Sequence, residues 1–420
     1  MMFHDNRAEQ NNNRFDLSPY LIHFFRKIDL CGDDVGIVPE EWGPGEIVED
    51  SIVSPLFLLR NAIRLKRLWA TWSFRNKRRT IYGPDPAVCF SDMPVAAFIE
   101  AGQAREKKGQ AMSPIALVLP KMQVHAKGAR PAIYGLSEPC RIPKGDDYEP
   151  RLLPENALPL SEQYRYVTLG EQGTVDWTHE REWRWPCREP QLSIDDMPPI
   201  HGKYVPGLDL TFNGMGVIVR NENQAKKVLS DILVLSDTHA AGCYDFILIG
   251  SKIPPLNQLR DPADVQDAII NNSINLSYFY NFSDRRIKAL NQEFDNCVMS
   301  INKEDIETIG YRGREFGGCW LWLTDPAHEI TRALFLNNRI QINSENRYLF
   351  NVDAFFRGSS LGAREEFTRR LCQLLLKKYN LPATYHSVVG SSDMDGIPHY
   401  LNAPTGDRLI FNHGHDQDDF

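Results

Sequence analysis

The stretch "DWTHEREWRWP", residues 176–186, decides how the sheet of this chain is to be read. Side chains alternate between the two faces of a strand. A strand here sets Glu180, Glu182 and Arg184 on one face, with Arg181, Trp183 and Trp185 on the other. Upstream, "YLIHFFRK" from Tyr20 is apolar and short enough for a buried strand. "AVCFSDMP" (87–94) reads as a strand ending in a turn, and "VAAFIEAGQAREKKG" (95–109) as a helix stopped at Gly109. "PIALVLPK" (114–121) and "PAIYGL" (131–136) read as strands joined by a short "GAR" turn. Apolar residues near a 3.6-residue repeat, with Ser54-Pro55 as cap and first turn, predict a helix over 54–72. Downstream, 214–220, 223–235 and 244–250 form a strand–helix–strand unit. Residues 251–265 are the most plausible linker, and residues 1–16 lack any apolar period and read as disordered. Beyond the linker, "GGCWLWL", "RYLFNV", a helix at 361–379 and "ATYHSVVG" point to a smaller separate α+β domain. Two domains are expected, over 17–255 and 270–420.

A chain of 420 residues exceeds one ordinary core. Its 42% hydrophobic and 24% charged content is that of a soluble globular protein. The 8 cysteines are scattered without a C-x-x-C pair, which argues for reduced thiols in a cytoplasm. No apolar run approaches the roughly 20 residues that span a bilayer, so no membrane contact is expected. The net charge of −8 argues against a general nucleic-acid coat protein but leaves room for a local basic patch. P-loop, zincin and α/β-hydrolase motifs are missing from the sequence.

Two carboxylates about 6–7 Å apart along a strand can divide labour. One stabilises a cationic transition state; the other orients or deprotonates an acceptor. Breaking a ribosyl C–N bond passes through an oxocarbenium-like state, for which a carboxylate is the natural stabiliser. Nearby tryptophans lower the local dielectric and strengthen that interaction. The plainer alternative is an edge strand in which Arg184 simply pairs with Glu182. His23 lies in an apolar strand with Arg26 three residues on, where a satisfied core histidine is the common outcome. Ser91 and Asp92 end another strand, a position that tends to face ligands. Lys121, Arg130 and Tyr134 follow.

The order "LIHFFR", "VCFSDMP", "IALVLPK … GARPAIYG", "HEREWR" resembles the AbiGi-type abortive-infection proteins over roughly residues 18–190. The same order resembles ADP-ribosyltransferases. These resemblances imply an α+β fold with a split mixed β-sheet, NAD as co-substrate and no metal. They imply that His23, Phe24, Arg26, Ser91 and Tyr134 bind NAD, that Glu182 is the catalytic carboxylate, and that Glu180 is its upstream partner. Phe25 stands where a Thr often follows "H-F", so one hydroxyl contact is missing. The family also implies the toxin of a phage-defence toxin–antitoxin–chaperone system acting on RNA, with an antitoxin and a chaperone as partners. The part beyond about residue 270 is similar to an uncharacterised domain often joined to this family. An NAD glycohydrolase, a protein-directed transferase, and a non-catalytic RNA- or protein-binding module are the alternatives.

"RNAIRLKRLWATWSFRNKRR", residues 60–79, reverses the overall acidity, with eight cations and no acid. Cations take phosphates and aromatics stack on exposed bases. Arg75, Lys77, Arg78 and Trp72 are therefore the expected substrate contacts, with a solvated basic helix face as the plainer reading. His413 and His415 are a weak metal pair in a polar tail.

Overall fold

A computed structural model describes residues 18–29, 32, 52–75, 77–110, 112–137, 150–169, 177–188, 207–238, 244–259, 262–309, 316–357 and 360–398. The N-terminal stretch 1–16, His413 and His415 lie outside the described residues. The chain is mixed α+β and divides into two compact units. The first takes residues 1–228, 241–275 and 413–420; the second takes 229–240 and 276–412.

The first unit is organised by an eight-stranded sheet. Its strands are β1 (Tyr20–Phe24), β2 (Ala87–Ser91), β3 (Ala116–Pro120), β4 (Arg130–Pro131), β5 (Glu182–Pro186), β6 (Met215–Val219), β7 (Tyr244–Ile249) and β8 (Ser273–Asn275). Their order is β8-β7-β6-β3-β1-β2-β5-β4. Neighbours are antiparallel except β6 and β7, which are parallel across the helix Glu222–Thr238 that connects them. A parallel pair needs such a crossover, so the strand–helix–strand pattern was readable locally. β1 and β3 pair over five residues, whereas β1 meets β2 through the single pair Ile22–Ser91. The sheet is thus thinnest between β1 and β2.

One face carries Ile22, Ala116, Val118, Ile218 and Leu248, packed with Val95, Phe98 and Ile99 of helix α2 (Val95–Lys107). Helix α1 (Pro55–Leu65) starts as expected, with the Ser54 hydroxyl accepting from the Phe57 N–H and Pro55 in its first turn. It stops at Lys66, which turns left-handed at φ 56, and residues 67–69 become a strand paired with Gly207–Asp209. The expected helix over 54–72 is corrected to eleven residues: the partner strand, not local propensity, claims residues 67–69. Between β3 and β4 the "GAR" turn is preceded by a short helix α3 (Lys121–Ala126), and residues 131–136 contribute two short strands instead of one. Residues 251–259 and 262–275 hold two 3-10 turns, a helix and β8, which grouping by contacts assigns to the first unit.

The second unit has a four-stranded antiparallel sheet of β9 (Gly317–Leu323), β10 (Ile340–Ile342), β11 (Tyr348–Asn351) and β12 (Ala383–Val389), ordered β10-β11-β9-β12. Leu321, Leu323, Tyr348 and Phe350 pack against the helices Asp284–Met299, Glu329–Leu336 and Leu361–Tyr379. The last of these helices spans the residues expected from sequence.

Candidate functional site

Three of the four quoted motifs, those at residues 21–26, 88–94 and 179–184, reach the neighbouring strands β1, β2 and β5. β2 stands between β1 and β5, and Ile22, Ser91 and Glu182 form one row across them. Residues paired across antiparallel strands share a face. Glu182, Ser91 and Ile22 therefore point to one side, and His23 leaves β1 on the other.

The strand at the glutamates is shorter than expected. Glu180 closes a 3-10 turn, Trp177–Glu180, and Arg181 sits left-handed at φ 48. β5 begins at Glu182, so Glu180 is not in its alternation; this corrects the three-residue face. Glu182 and Arg184 do share a face. Their contact is bidentate: Arg184 Nε donates to Glu182 Oε1 at 2.8 Å and Nη2 to Oε2 at 3.2 Å. Arg184 is 5% exposed, and its Nη1 donates to the carbonyls of Tyr164 and Tyr166. Burial opposes the Arg184 charge, but the Glu182 carboxylate outweighs it and holds the guanidinium above its ordinary pKa. Glu182 stays part-exposed at the open end of this pair.

Glu180 pairs with Arg105 of α2, whose Nη1 reaches Oε1 at 2.8 Å while its Nη2 meets His179 Nε2 at 2.9 Å. The Ser91 hydroxyl donates to the Glu180 carbonyl at 2.9 Å and accepts from the Met93 N–H. Tyr134 accepts the Glu182 N–H at 2.6 Å. Its pKa is raised, chiefly by burial and also by the Glu182 and Glu180 charges. Cys89 lies beneath the pair, its thiol pushed far up by burial and by Glu182. Lys121 reaches Asp92 at 2.6 Å and stands 5.8 Å from the centre of the Trp183 ring. Glu182, Glu180, Ser91 and Tyr134 are thus brought together. The Arg105 partner was not legible, because nothing local links a helix at 95–107 to residue 180.

The other expected donor contacts are placed differently. The His23 Nδ1 lies 2.8 Å from the Cys89 carbonyl, in the thin seam between β1 and β2, and its ring meets those of Phe25 and Phe90 edge-on. Burial pushes its pKa down to about 4, against the contrary pull of that carbonyl. Phe24 packs against Phe98 in the core, 6.1 Å between ring centres. Arg26 follows β1 and is part-exposed. Strand parity sets His23 on the face opposite Glu182, whereas Phe24 shares the side of Ile22 and packs against the core there.

The expected nucleic-acid segment, residues 60–79, is split between the end of helix α1, the strand Arg67–Trp69 and a hairpin of Phe74–Arg75 against Arg78–Arg79. Lys77 turns it at φ 63, and Arg75, Lys77 and Arg78 are exposed. Trp72 is part-buried beneath Arg79, 4.1 Å from its ring centre. These three cations are exposed, while Trp72 gives one face to the buried Arg79 guanidinium.

A cleft of about 530 Å³ opens on the same unit, lined by Lys127, Arg130, Tyr164, Trp185, Arg188 and others. Glu180 and Glu182 are not in its wall. Among the described residues no group of three or more His, Cys, Asp or Glu is placed to hold a metal. None of their helices is long and apolar enough to cross a membrane.

A family model described as a protein of unknown function (DUF4427) matches residues 282–413, under a third of the chain. That match lies within the C-terminal part and carries no activity with it. No curated protein and no solved structure matches.

Proposed function

We propose that the first unit is an ADP-ribosyltransferase that moves ADP-ribose from NAD onto a macromolecule, with RNA as the acceptor. The observation that carries this reading is the row Ile22–Ser91–Glu182, in which motifs far apart in sequence meet on adjacent strands. On this reading the bond between the ribose C1′ and nicotinamide breaks, and nicotinamide leaves with the electron pair. The Glu182 carboxylate stabilises the ribosyl cation. An acceptor oxygen or nitrogen then bonds to C1′, and its proton passes to Glu180. The Arg184 fork fixes the Glu182 carboxylate, and Tyr134 fixes its backbone. NAD contacts fall to Glu182, Tyr134 and Arg26, with Ser91 as a support behind Glu180. The RNA preference draws on the AbiGi resemblance and on the exposed cations of the 74–79 hairpin. The same resemblance supports a toxin of phage defence.

A second reading, a non-catalytic binding module, is favoured by one fact: both carboxylates are already ion-paired. NAD labelled in its adenylate part, incubated with the protein and a cell lysate and then digested with nuclease or protease, separates the two. Label released by nuclease alone is the expected result. Glu182→Gln should abolish it, and should also cost roughly 2–4 kcal/mol by leaving Arg184 without its carboxylate. Glu182→Gln/Arg184→Met keeps the fold comparison sound. A folded variant of either kind that still labels RNA at the original rate would overturn the role of Glu182.

A further inference from the structure

We infer that the cleft beside β4 and β5 binds single-stranded nucleic acid, with phosphates on Lys127, Arg130 and Arg188 and a base stacked on Trp185. This site is distinct from the glutamate row. Trp185 lies on the face of β5 opposite Glu182 and Arg184, and the cleft opens there with a volume of about 530 Å³. That size suits a nucleotide or two.

The charge balance in the wall is carried by who is already paired. Its two acids are each engaged by a cation: Glu162 by Arg165 at 2.5 Å, and Asp209 by Arg67 at 3.4 Å. Two of its three cations, Lys127 and Arg130, have no acid of their own in return among the described residues. Arg130 donates through its Nη1 to the backbone carbonyls of His125 and Ala129, contacts that do not neutralise its charge. Lys127 is exposed and has no ion pair among the described residues. Arg188 is 56% exposed; it pairs with Asp85 at 3.6 Å and donates to the Ser161 carbonyl at 3.0 Å. The wall therefore holds a net positive potential, aimed at a concave site that a polyanion can enter.

The aromatic component is fixed in place. The Trp185 Nε1 donates to the Lys127 carbonyl at 2.8 Å, which sets the ring plane while leaving the ring part-exposed. Gly128 runs past the same ring; a Cβ there would lie 3.9 Å from it. A held indole beside unmatched cations is the pairing that single strands use, a base on the ring and phosphates on the charges. A duplex cannot offer an unstacked base to such a ring.

The test is fluorescence anisotropy with a labelled oligouridylate of about 10 nucleotides, without NAD, on the full chain. The single strand should bind more tightly than a duplex of equal length. Lys127→Gln/Arg188→Gln changes two exposed side chains. It should weaken binding and make the log–log salt slope shallower by about 1.4, two phosphate contacts' worth. Trp185→Ala should weaken it roughly tenfold, with the charge variant as the control if that protein does not fold. Unchanged affinity and slope in the charge variant, or equal binding of the duplex, overturns the assignment. So does complete displacement by inorganic phosphate at an ionic strength where chloride displaces little, which would mark a simple anion site. Because no NAD is present, failure here leaves the proposed transfer standing, and failure of the transfer leaves this site standing.

Discussion

His23 is held neutral by its surroundings, with a pKa near 4 in the fold and the ordinary imidazole value of about 6.5 in the unfolded chain. Between those values the unfolded chain binds more protons, so stability rises with pH from 4 to 6.5. The contribution is complete above 6.5 and is lost as pH falls through about 4. The difference amounts to about 3 kcal/mol. His23→Gln should flatten the pH dependence of the denaturant midpoint by that amount across this window; superimposable profiles would mean that the ring is open to protonation. At this scale the sequence was a fair guide to residue type and a poor one to residue role. The alternative of a satisfied core histidine is the one the geometry favours. The alternative of Arg184 paired with Glu182 is also present, but the pair is no surface ornament, since Arg184 is buried and braces the carboxylate. Glu180 was misplaced because a single left-handed residue, Arg181, ends the alternation on which the face assignment rested.

Among the elements, the strands and helices with strong local periods were legible: β2, β3, α2, the parallel pair β6 and β7, and the helix at 361–379. The basic aromatic segment was not, because its apolar spacing continues past the point where the chain leaves the helix. What ends helix α1 is the pairing of residues 67–69 with 207–209, about 140 positions away. That pairing leaves no space at Gly207, where a Cβ would come within 1.9 Å of the Leu68 carbonyl oxygen. Backbone cannot yield as a side-chain tip can, so Gly207→Ala should cost about 1–3 kcal/mol in urea denaturation. Gly362 is the contrast: exposed in the first turn of its helix, with nothing within 4 Å of an added Cβ. There the same change should stabilise by about 0.5–1 kcal/mol. Equal effects at the two sites would refute the steric account of Gly207.

For the whole molecule, division into two units rests on which segments each core recruits. The second unit takes in residues 229–240, ahead of the stretch matched by the family model. A buried ion pair ties this segment to the second unit: Arg332, fully buried, donates to both Asp237 carboxylate oxygens, and the Tyr348 hydroxyl donates to the same group at 2.6 Å. Asp237→Asn leaves that guanidinium uncompensated and should cost the second unit roughly 3–5 kcal/mol. Hydrogen exchange should then speed up in β9 and β11 while β3 in the first unit keeps its protection; uniform loss in both would show that they unfold as one. The sequence by itself determined where most strands and helices form, that a smaller α+β region follows the first, and which strands carry the chemical motifs. Those features depend on hydrophobic periods a few residues long. Only the tertiary structure decided that His23 and Glu182 lie on opposite faces, that Arg105 and Arg184 engage the two carboxylates, and which cations of the cleft are unmatched. Facing depends on strand register, and electrostatic pairing on distances between residues remote in the chain, neither of which a local pattern encodes.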